Sequence, residues 1–452
     1  MSKYKEYKGL SLPNIHKEVL KEWNEKNIFQ ECIDKGKGKP SFTFYEGPPS
    51  ANGMPGIHHV IARTIKDLFC RYKSLQGYQV NRKAGWDTHG LPVELGVEKN
   101  LGITKEDIGT TISIEDYNKA CRTDVMKYKG EWEKLTNEMG YWVDMDKPYV
   151  TYDNKYIESV WWLLSEMHRK DLLYKGFTIQ PYSPKAGTGL STHELNQPGC
   201  YKDVKDTSAV AMFEIVEDEK SAFLFDGEQE ISFIAWTTTP WTLPSNTALA
   251  VGKKINYVKV NTFNSYNNNP ITIVMAKDLL HKYFTEDISL SDYKEGDKQL
   301  PYEIVKEYIG TDLNGVNYHQ LFPYKQPEDG DAFRVILGDF VTTEDGTGIV
   351  HLAPSFGADD NLVAKQNGIG SLTLVDGQGR FTEEVTDLAG QYVKEEFYTE
   401  KDEKPKYPAD VQIVINLKDN NQLFKSEKYE HSYPHCWRTD KPILYYPMDS
   451  WF

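Results

Sequence analysis

The sequence has 452 residues, of which 39% are hydrophobic and 26% charged, and its formal net charge is −15. This length exceeds what one hydrophobic core usually holds, so we expect two or three domains. The negative charge argues against a protein that coats nucleic acid nonspecifically, because phosphate binding needs clustered Lys and Arg, but it leaves a local RNA-binding patch open.

The chain shows no pattern typical of export or membrane insertion. No apolar run approaches the roughly 20 residues that a membrane helix needs, and the start MSKYKEYKGLSLP lacks the apolar stretch of a secretory signal. The five cysteines are scattered and odd in number, which favours a reducing compartment over a disulfide framework. We therefore expect a cytoplasmic protein without membrane contact.

The first 182 residues predict alternating helices and strands. Residues 1–40 form a helical extension with a helix near 15–29, and SFTFY at 41–45 alternates like a strand. A Gly/Pro-rich loop, a helix ending before Gly77 and a short strand, YQVN, complete a parallel βαβ unit, which predicts a Rossmann-like domain over 41–182. Further helices are predicted over 115–139 and 153–174, the second capped by Asp153 and stopped by Gly176.

The pattern changes near Ser183. Residues 183–204 are interpreted as a connection, 205–425 as a compact mixed-β or barrel-like domain, and 426–452 as a return connection. Short strand-like runs fill the β-rich region, namely SAVAMFEIV, EISFIAW, YVKV, ITIVMA, RVILGDFV, GTGIVHLA and VQIVINL, with one helical run, AKDLLHKYF. The abrupt end at Trp451 and Phe452 suggests a truncated chain.

The first motif is EGPPSANGMPGIHH, from Glu46 to His59. A loop that enters a helix is a natural anion site, because free backbone N–H groups and the helix dipole face it. His58 and His59 could donate hydrogen bonds to phosphate oxygens there. The structural alternative is an ordinary Gly/Pro-rich loop whose histidines only cap the helix.

The second motif, GWDTHGLPVE, runs from Gly85 to Glu94 and follows the next strand at the same rim. Asp87 could bind an amino group, and His89 could contact a nucleotide. The alternative is a tight turn in which Asp87 and Thr88 cap the chain.

Two further motifs lie in the β-rich region. WTTTPWTLPSN, from Trp236 to Asn246, offers three consecutive hydroxyl side chains. GTGIVHLAPSFGADD, from Gly346 to Asp360, combines a glycine hairpin, a histidine and an acidic pair. Ordinary explanations are a solvent-facing threonine strand, and a turn with a core-edge histidine and solvated carboxylates.

Together the first two motifs resemble the class I aminoacyl-tRNA synthetases, and among them the isoleucine enzymes. The resemblance implies an α/β fold in which a Rossmann-like parallel-sheet catalytic domain is interrupted by a β-rich editing domain. It also implies isoleucine, ATP with magnesium, and tRNA as ligands of a monomeric enzyme. The family's His-x-Gly-His signature reads Gly56-Ile57-His58-His59 here, so the first histidine and the glycine have changed places.

The resemblance assigns residues to two sites. Asn52, Gly56, His58 and His59 would border ATP, with His58 supplying the phosphate contact that Gly56 cannot make. The isoleucine site would contain Gly47, Pro48 and Asp87, with Asp87 binding the α-ammonium group.

The third and fourth motifs resemble the editing domain of the isoleucine, valine and leucine synthetases. That resemblance assigns the editing site to Thr237, Thr238, Thr239, Asn246, His351 and Asp360. Asp360 would hold the substrate's ammonium group, a sound pairing of opposite charges.

Two family features are missing from the sequence. The Cys-x-x-Cys pairs that often bind zinc read Ser183-Pro184-Lys185-Ala186 and Cys436-Trp437-Arg438-Thr439, so no structural zinc is expected. The lysine-rich loop that stabilises adenylate formation has no match either. Three alternatives stay open: a valine enzyme, a stand-alone hydrolase of mischarged tRNA, and a noncatalytic nucleotide-binding module.

Overall fold

The computed structural model describes residues 9–227, 229–285, 289–294, 296–297 and 299–452, so the first eight residues of the predicted extension lie outside it. The chain divides into two compact units, Met1–Tyr174 and Lys175–Phe452. The finer divisions predicted at residues 40, 204 and 425 stay predictions.

The first unit contains a parallel sheet. Its strands are β1 (Ser41–Tyr45), β2 (Gln79–Trp86) and β3 (Asp144–Val150), with β2 in the centre. Its helices are α1 (Leu12–Glu25), α2 (Ile28–Lys35), α3 (Ile57–Leu75), α4 (Leu91–Leu101), α5 (Ile114–Asp124), α6 (Lys129–Glu138) and α7 (Asn154–Arg169). The predicted strand at 41–45, the helix that follows it and the parallel pairing of the unit are confirmed.

Several boundaries in this unit were predicted wrongly, for local reasons. Strand β2 continues beyond YQVN to Trp86, and its charged Arg82 can lie buried within it because it pairs with Asp67 at 3.0 Å. The first predicted helix is split at Asn27, which has a φ of 46°. Helix α7 ends at Arg169, close to Asp171 with a φ of 56°, and Gly176 lies in a strand.

The second unit begins with β4 (Lys175–Ser183), β5 (Thr188–Gly189) and α8 (Thr192–Leu195). Its remaining strands are β6 (Tyr201–Glu214), β7 (Ile231–Thr237), β8 (Ala248–Val251), β9 (Asn256–Phe263), β10 (Pro270–Ala276), β11 (Glu303–Ile309), β12 (Arg334–Leu337), β13 (Ile349–Leu352), β14 (Leu423–Pro434) and β15 (Leu444–Trp451). Two helices complete it, α9 (Ala358–Gln366) and α10 (Ala409–Asp419).

Open sheets organise the second unit. A six-stranded sheet has the order β11-β9-β10-β7-β6-β14, and two three-stranded sheets have the orders β12-β8-β13 and β15-β4-β5. Among the described strands, β11 and β14 end the large sheet as edges, so the sheet does not close into a barrel. The predicted β-rich, mixed-β domain is confirmed, and of the two shapes that the sequence left open the described strands form open sheets.

The run VQIVINL was predicted to be a strand but lies in helix α10. Its buried residues, Ala409, Asp410, Ile413 and Leu417, recur at helical spacing. A short run rich in β-branched residues fits either structure by periodicity, and packing decides between them. Within the described part of the chain, every helix is too short or too polar to cross a bilayer.

Candidate functional sites

Two loops meet at one edge of the parallel sheet in the first unit. Strands β1 and β2 are parallel, so the loops that follow Tyr45 and Trp86 leave from the same edge. The backbone N–H of Asp87 donates to the carbonyl of Pro49 at 3.0 Å. The structure thus brings the first two sequence motifs together.

Helix α6 and the residue before it donate hydrogen bonds to the first of these loops. The indole Nε1 of Trp132 donates to the carbonyl of Gly53 at 2.9 Å, and the Tyr128 N–H donates to the carbonyl of Ala51 at 2.9 Å. The side chain of Asn52 donates to the carbonyl of Pro92 at 3.2 Å and so joins the two loops. Trp132 was missed in the sequence because it lies far along the chain in a polar helix.

Gly56 and the two histidines form the start of helix α3. The Gly56 N–H donates to Nδ1 of His59 at 2.8 Å. Burial, and next the charge of His58, lower the pKa of His59. A neutral His59 that accepts at Nδ1 carries its proton on Nε2, which makes that nitrogen a hydrogen-bond donor.

The close approach of the His58 ring to position 56 fits the exchanged order of histidine and glycine in the signature. A Cβ atom at Gly56 would lie 2.8 Å from Cε1 of His58, closer than real contacts allow. The imidazole of His58 therefore occupies the space beside residue 56, and glycine leaves that space open. The imidazole is itself exposed to solvent.

Acidic side chains border the same loops. Asp87 is half-buried, and its Oδ1 accepts from the His89 N–H at 3.4 Å. Gly47 and Pro48 follow Glu46, which is buried and paired with Lys66 at 2.6 Å. Glu46 was not selected from the sequence, although it begins the first motif.

A cavity of about 420 Å³ lies in the second unit. It brings together residues from the third and fourth motifs, which are separated by about a hundred positions in the sequence. The predicted residues that line it are Thr237, Thr238, Thr239, His351 and Asp360. Thr242, Phe340 and Phe356 also line it and were not selected. Thr242 lies inside the third motif, so its position in the sequence could have revealed it.

A chain of hydrogen bonds fixes His351 at the cavity wall. His351 Nε2 lies 3.0 Å from Oγ1 of Thr242, which donates to the carbonyl of Thr239 at 2.9 Å. The other ring nitrogen lies 3.4 Å from Nδ2 of Asn246. Because the amide and Nε2–H are donors in this arrangement, His351 is neutral, and burial lowers its pKa to about 4.

Asn246 lies behind the cavity and does not line it. Its Nδ2 also donates to the carbonyl of Ala248 at 2.9 Å, and its Oδ1 accepts from the hydroxyl of Tyr318 at 2.7 Å. The structure therefore makes Asn246 a support for His351.

Asp360 lies in the first turn of α9, opposite the threonines of the cavity. Its Oδ2 accepts from the Ala353 N–H at 2.9 Å. Burial raises its pKa to about 6. A Cβ atom at Gly357 would lie 2.6 Å from the Asp360 carboxyl carbon. Because glycine has no Cβ, it leaves room for the carboxylate in this position.

The residues compared above with the Cys-x-x-Cys pairs do not fit a four-ligand zinc site. Ser183 Oγ accepts from the Ala186 N–H at 3.3 Å, and Cys436 packs against Leu190, Leu195 and Ile443. Among the described residues, no three His, Cys, Asp or Glu side chains form a group that could hold a metal ion.

A larger groove of about 810 Å³ in the second unit contains none of the motif residues. Asparagine side chains line much of it, and several bond to each other or to the backbone, as Asn267 does to Asn421 at 2.7 Å. Among its described lining residues there is no Cys, His or Lys side chain.

Comparison with known proteins places these features in context. Residues 18–452 match the family model described as class I tRNA synthetases (I, L, M and V). The isoleucine–tRNA ligase of Cytophaga hutchinsonii is 60% identical over all of this chain, and that of Porphyromonas gingivalis is 57% identical. The chain spans 42% of the length of each relative.

A solved structure gives a weaker likeness. The editing domain of the P. knowlesi cytosolic leucyl-tRNA synthetase is 12% identical, with a TM-score of 0.27, over 35% of this chain and 62% of that one. The sequence identity and the TM-score are both too low to support a conclusion about this chain.

Proposed function

The chain belongs to the class I tRNA synthetases (I, L, M and V), and within that family we propose that it carries part of the activating site and the editing site of an isoleucine–tRNA ligase. Its substrates would be isoleucine, ATP and the tRNA for isoleucine. We propose a monomer in the cytoplasm, where the five free cysteines would stay reduced. The observation that carries the editing proposal is the cavity that unites the threonines with His351 and Asp360.

In the activating site, the residues of the two loops would position the reactants. Asp87 would bind the α-ammonium group of isoleucine beside Gly47 and Pro48, and Nε2–H of His59 would donate to a phosphate oxygen. His58, Asn52 and Gly56 would border the nucleotide. Such catalysis depends on positioning and on charge stabilisation at phosphorus. Magnesium bound to ATP would neutralise phosphate charge.

A second site is needed because an apolar pocket cannot fully exclude an amino acid that is smaller by one methylene, a limit for which isoleucine enzymes are themselves the usual illustration. The editing cavity would accept a valyl ester and reject the larger isoleucyl ester. Asp360 would hold the ammonium group of valine.

In the hydrolytic step, a water oxygen bonds to the ester carbonyl carbon and the bond to the ribose oxygen breaks. The ribose oxygen takes a proton, which leaves free valine and uncharged tRNA. The hydroxyls of Thr237, Thr238 and Thr239 would orient the ester and the water. His351 would not act as the base, because both ring nitrogens are engaged and its pKa is lowered to about 4.

The test is hydrolysis of valyl-tRNA and isoleucyl-tRNA by this chain. We expect the valyl ester to be cleaved and the isoleucyl ester to be spared. Because the pKa of Asp360 is raised to about 6, cleavage should decline as the pH falls below 6. Asp360→Ala should lower the rate about a hundredfold, and the exposed neighbour provides the control, Asp359→Ala, which should stay near wild type.

Equal cleavage of both esters, or an unchanged rate in Asp360→Ala, would count against the editing proposal. ATP–pyrophosphate exchange with isoleucine and with valine tests the activating site in a full-length enzyme. Exchange that prefers valine would favour the valine enzyme, and editing without exchange would favour a stand-alone hydrolase.

A further inference from the structure

A cluster of charged side chains lies outside the editing cavity, where strands β6 and β14 pair. Asp206 on β6 pairs with Nζ of Lys394 at 2.7 Å, and His431 on β14 approaches the same carboxylate oxygen at 3.2 Å. Asp410, in the first turn of α10, lies 4.0 Å from the same Lys394 nitrogen. Tyr433 places its ring 4.8 Å from that nitrogen.

These charges are unusually well buried. Lys394 is 6% exposed and Asp410 is 7% exposed. Burying an ion is costly unless a partner of opposite charge compensates, and removing one partner leaves the other uncompensated. Burial raises the pKa of Asp410 to about 7, while Lys394 opposes that rise. Lys394 therefore offers Asp410 a nearby positive charge, while its own hydrogen bond goes to Asp206.

The cluster is connected to the cavity by one hydrogen bond. The backbone N–H of Trp241 donates to Oδ1 of Asp410 at 2.8 Å. Trp241 lies in a 3-10 turn, Pro240–Ser245, directly beside Thr242, which bonds to His351 and to the carbonyl of Thr239. The Trp241 ring also packs edge-on against Phe356 of the cavity wall, with ring centroids 5.1 Å apart.

We propose that Asp410 is a positioning residue of the editing cavity. By accepting from the Trp241 N–H, its carboxyl group fixes the turn that carries Thr242 and thereby fixes the hydroxyl and imidazole groups at the cavity wall. Asp410 does not line the cavity. The expected effect of Asp410 on hydrolysis rests on the proposed editing function. Its hydrogen bond to the turn does not, because that bond is a feature of the fold.

The test compares Asp410→Ala with Asp410→Asn in the complete chain. Asp410→Ala removes the acceptor and leaves the buried Trp241 N–H without a partner. Loss of this hydrogen bond should raise the equilibrium constant for local opening of the turn about tenfold or more. We expect amide exchange at Trp241 to be at least about tenfold faster, and kcat for valyl-tRNA hydrolysis about tenfold lower with KM nearly unchanged. Asparagine keeps an oxygen acceptor, so it should restore most of both properties.

A second buried lysine provides the matched control. Lys259 is 1% exposed and pairs with Asp226 at 2.7 Å, away from the turn and the cavity. Asp226→Ala should leave both the Trp241 exchange rate and kcat near wild type. A similar loss of kcat in Asp226→Ala would show a general effect of instability and would overturn the proposal.

Amide exchange at Trp241 tests the positioning role of Asp410, and valyl-tRNA hydrolysis by the wild type tests the proposed editing function. Unchanged Trp241 exchange in Asp410→Ala would overturn the positioning role, even if the wild type hydrolyses valyl-tRNA. If the wild-type chain hydrolyses nothing, the editing function fails, and faster Trp241 exchange in Asp410→Ala would still support the hold on the turn.

Discussion

His351 and Asp360 occupy one cavity, and burial changes their proton affinities in opposite directions. It lowers the pKa of the histidine to about 4 and raises that of the carboxylate to about 6, because burial disfavours the charged form of each. Near neutral pH the cavity therefore combines a neutral imidazole with a carboxylate. This combination suits binding of an ammonium group better than general-base chemistry at histidine.

The lowered pKa of His351 predicts a pH-dependent contribution to stability. The unfolded chain takes up a proton near pH 6.5 and the folded chain only near pH 4, so this contribution is present above 6.5 and lost as the pH falls towards 4. Its full size is about 3 kcal/mol. Asp360 has the opposite sign, because its raised pKa favours the folded state at low pH.

The measurement is urea unfolding of the wild type and of His351→Gln between pH 4 and 7. We expect the difference in unfolding free energy between the two proteins to grow with pH over that interval. A difference that is constant with pH would refute a buried neutral histidine.

The contact between Gly56 and His58 predicts that the exchanged signature depends on both positions. In a full-length enzyme, Gly56→His should displace the His58 ring and lower ATP–pyrophosphate exchange about tenfold. Adding His58→Gly to that variant should recover most of the loss, since it recreates the usual order of the signature. If the double variant is as poor as the single one, the two positions are not coupled in this way.

At the scale of elements, helix α10 shows how tertiary packing selects a structure. Its sequence would permit a strand, but Ala409, Ile413 and Leu417 lie buried at intervals of four residues. In a strand, residues 413, 415 and 417 would share one face. The helix instead leaves Ile415 40% exposed while Leu417 is fully buried.

This difference is testable by two matched substitutions. Leu417→Ala should lower the unfolding free energy by about 2–5 kcal/mol, because it leaves a cavity in the core. Ile415→Ala should cost about 1 kcal/mol or less, because much of its side chain remains in water. Chemical denaturation monitored by circular dichroism measures both. Equal losses would indicate that residues 415 and 417 face the same core, as in a strand.

At the scale of the whole molecule, each unit has apolar clusters of its own. Trp132, Trp86 and Ala51 pack together in the first unit, while a much larger cluster fills the second. Each proposed site therefore has its supporting core within its own unit. The loops of the proposed activating site depend on Trp132, and the proposed editing cavity depends on the six-stranded sheet.

Because Trp132 packs in a cluster of the first unit, we expect its loss to speed amide exchange in that unit and not in the second. Trp132→Ala should speed amide exchange in the described part of the first unit, residues 9–174, because Trp132 supports the first loop and is 2% exposed. Exchange in Lys175–Phe452 should stay close to wild type. Hydrogen exchange measured by mass spectrometry gives both values in one experiment, and faster exchange throughout would contradict the prediction.

The sequence alone determined the family, the parallel βαβ unit and the polar residues Thr237, Thr238, Thr239, His351 and Asp360 that the structure places in one cavity. Local motifs carry that information, because a nucleotide loop or a threonine run requires particular residues at fixed spacing. Only the tertiary structure decided the helical state of α10, the choice of open sheets between a mixed-β and a barrel-like domain, and the place of Asn246 behind His351. It also revealed Trp132 and Asp410, which act on loops far away in the sequence. Burial and hydrogen-bond partners arise from residues that meet only in the folded chain, so no local pattern contains them.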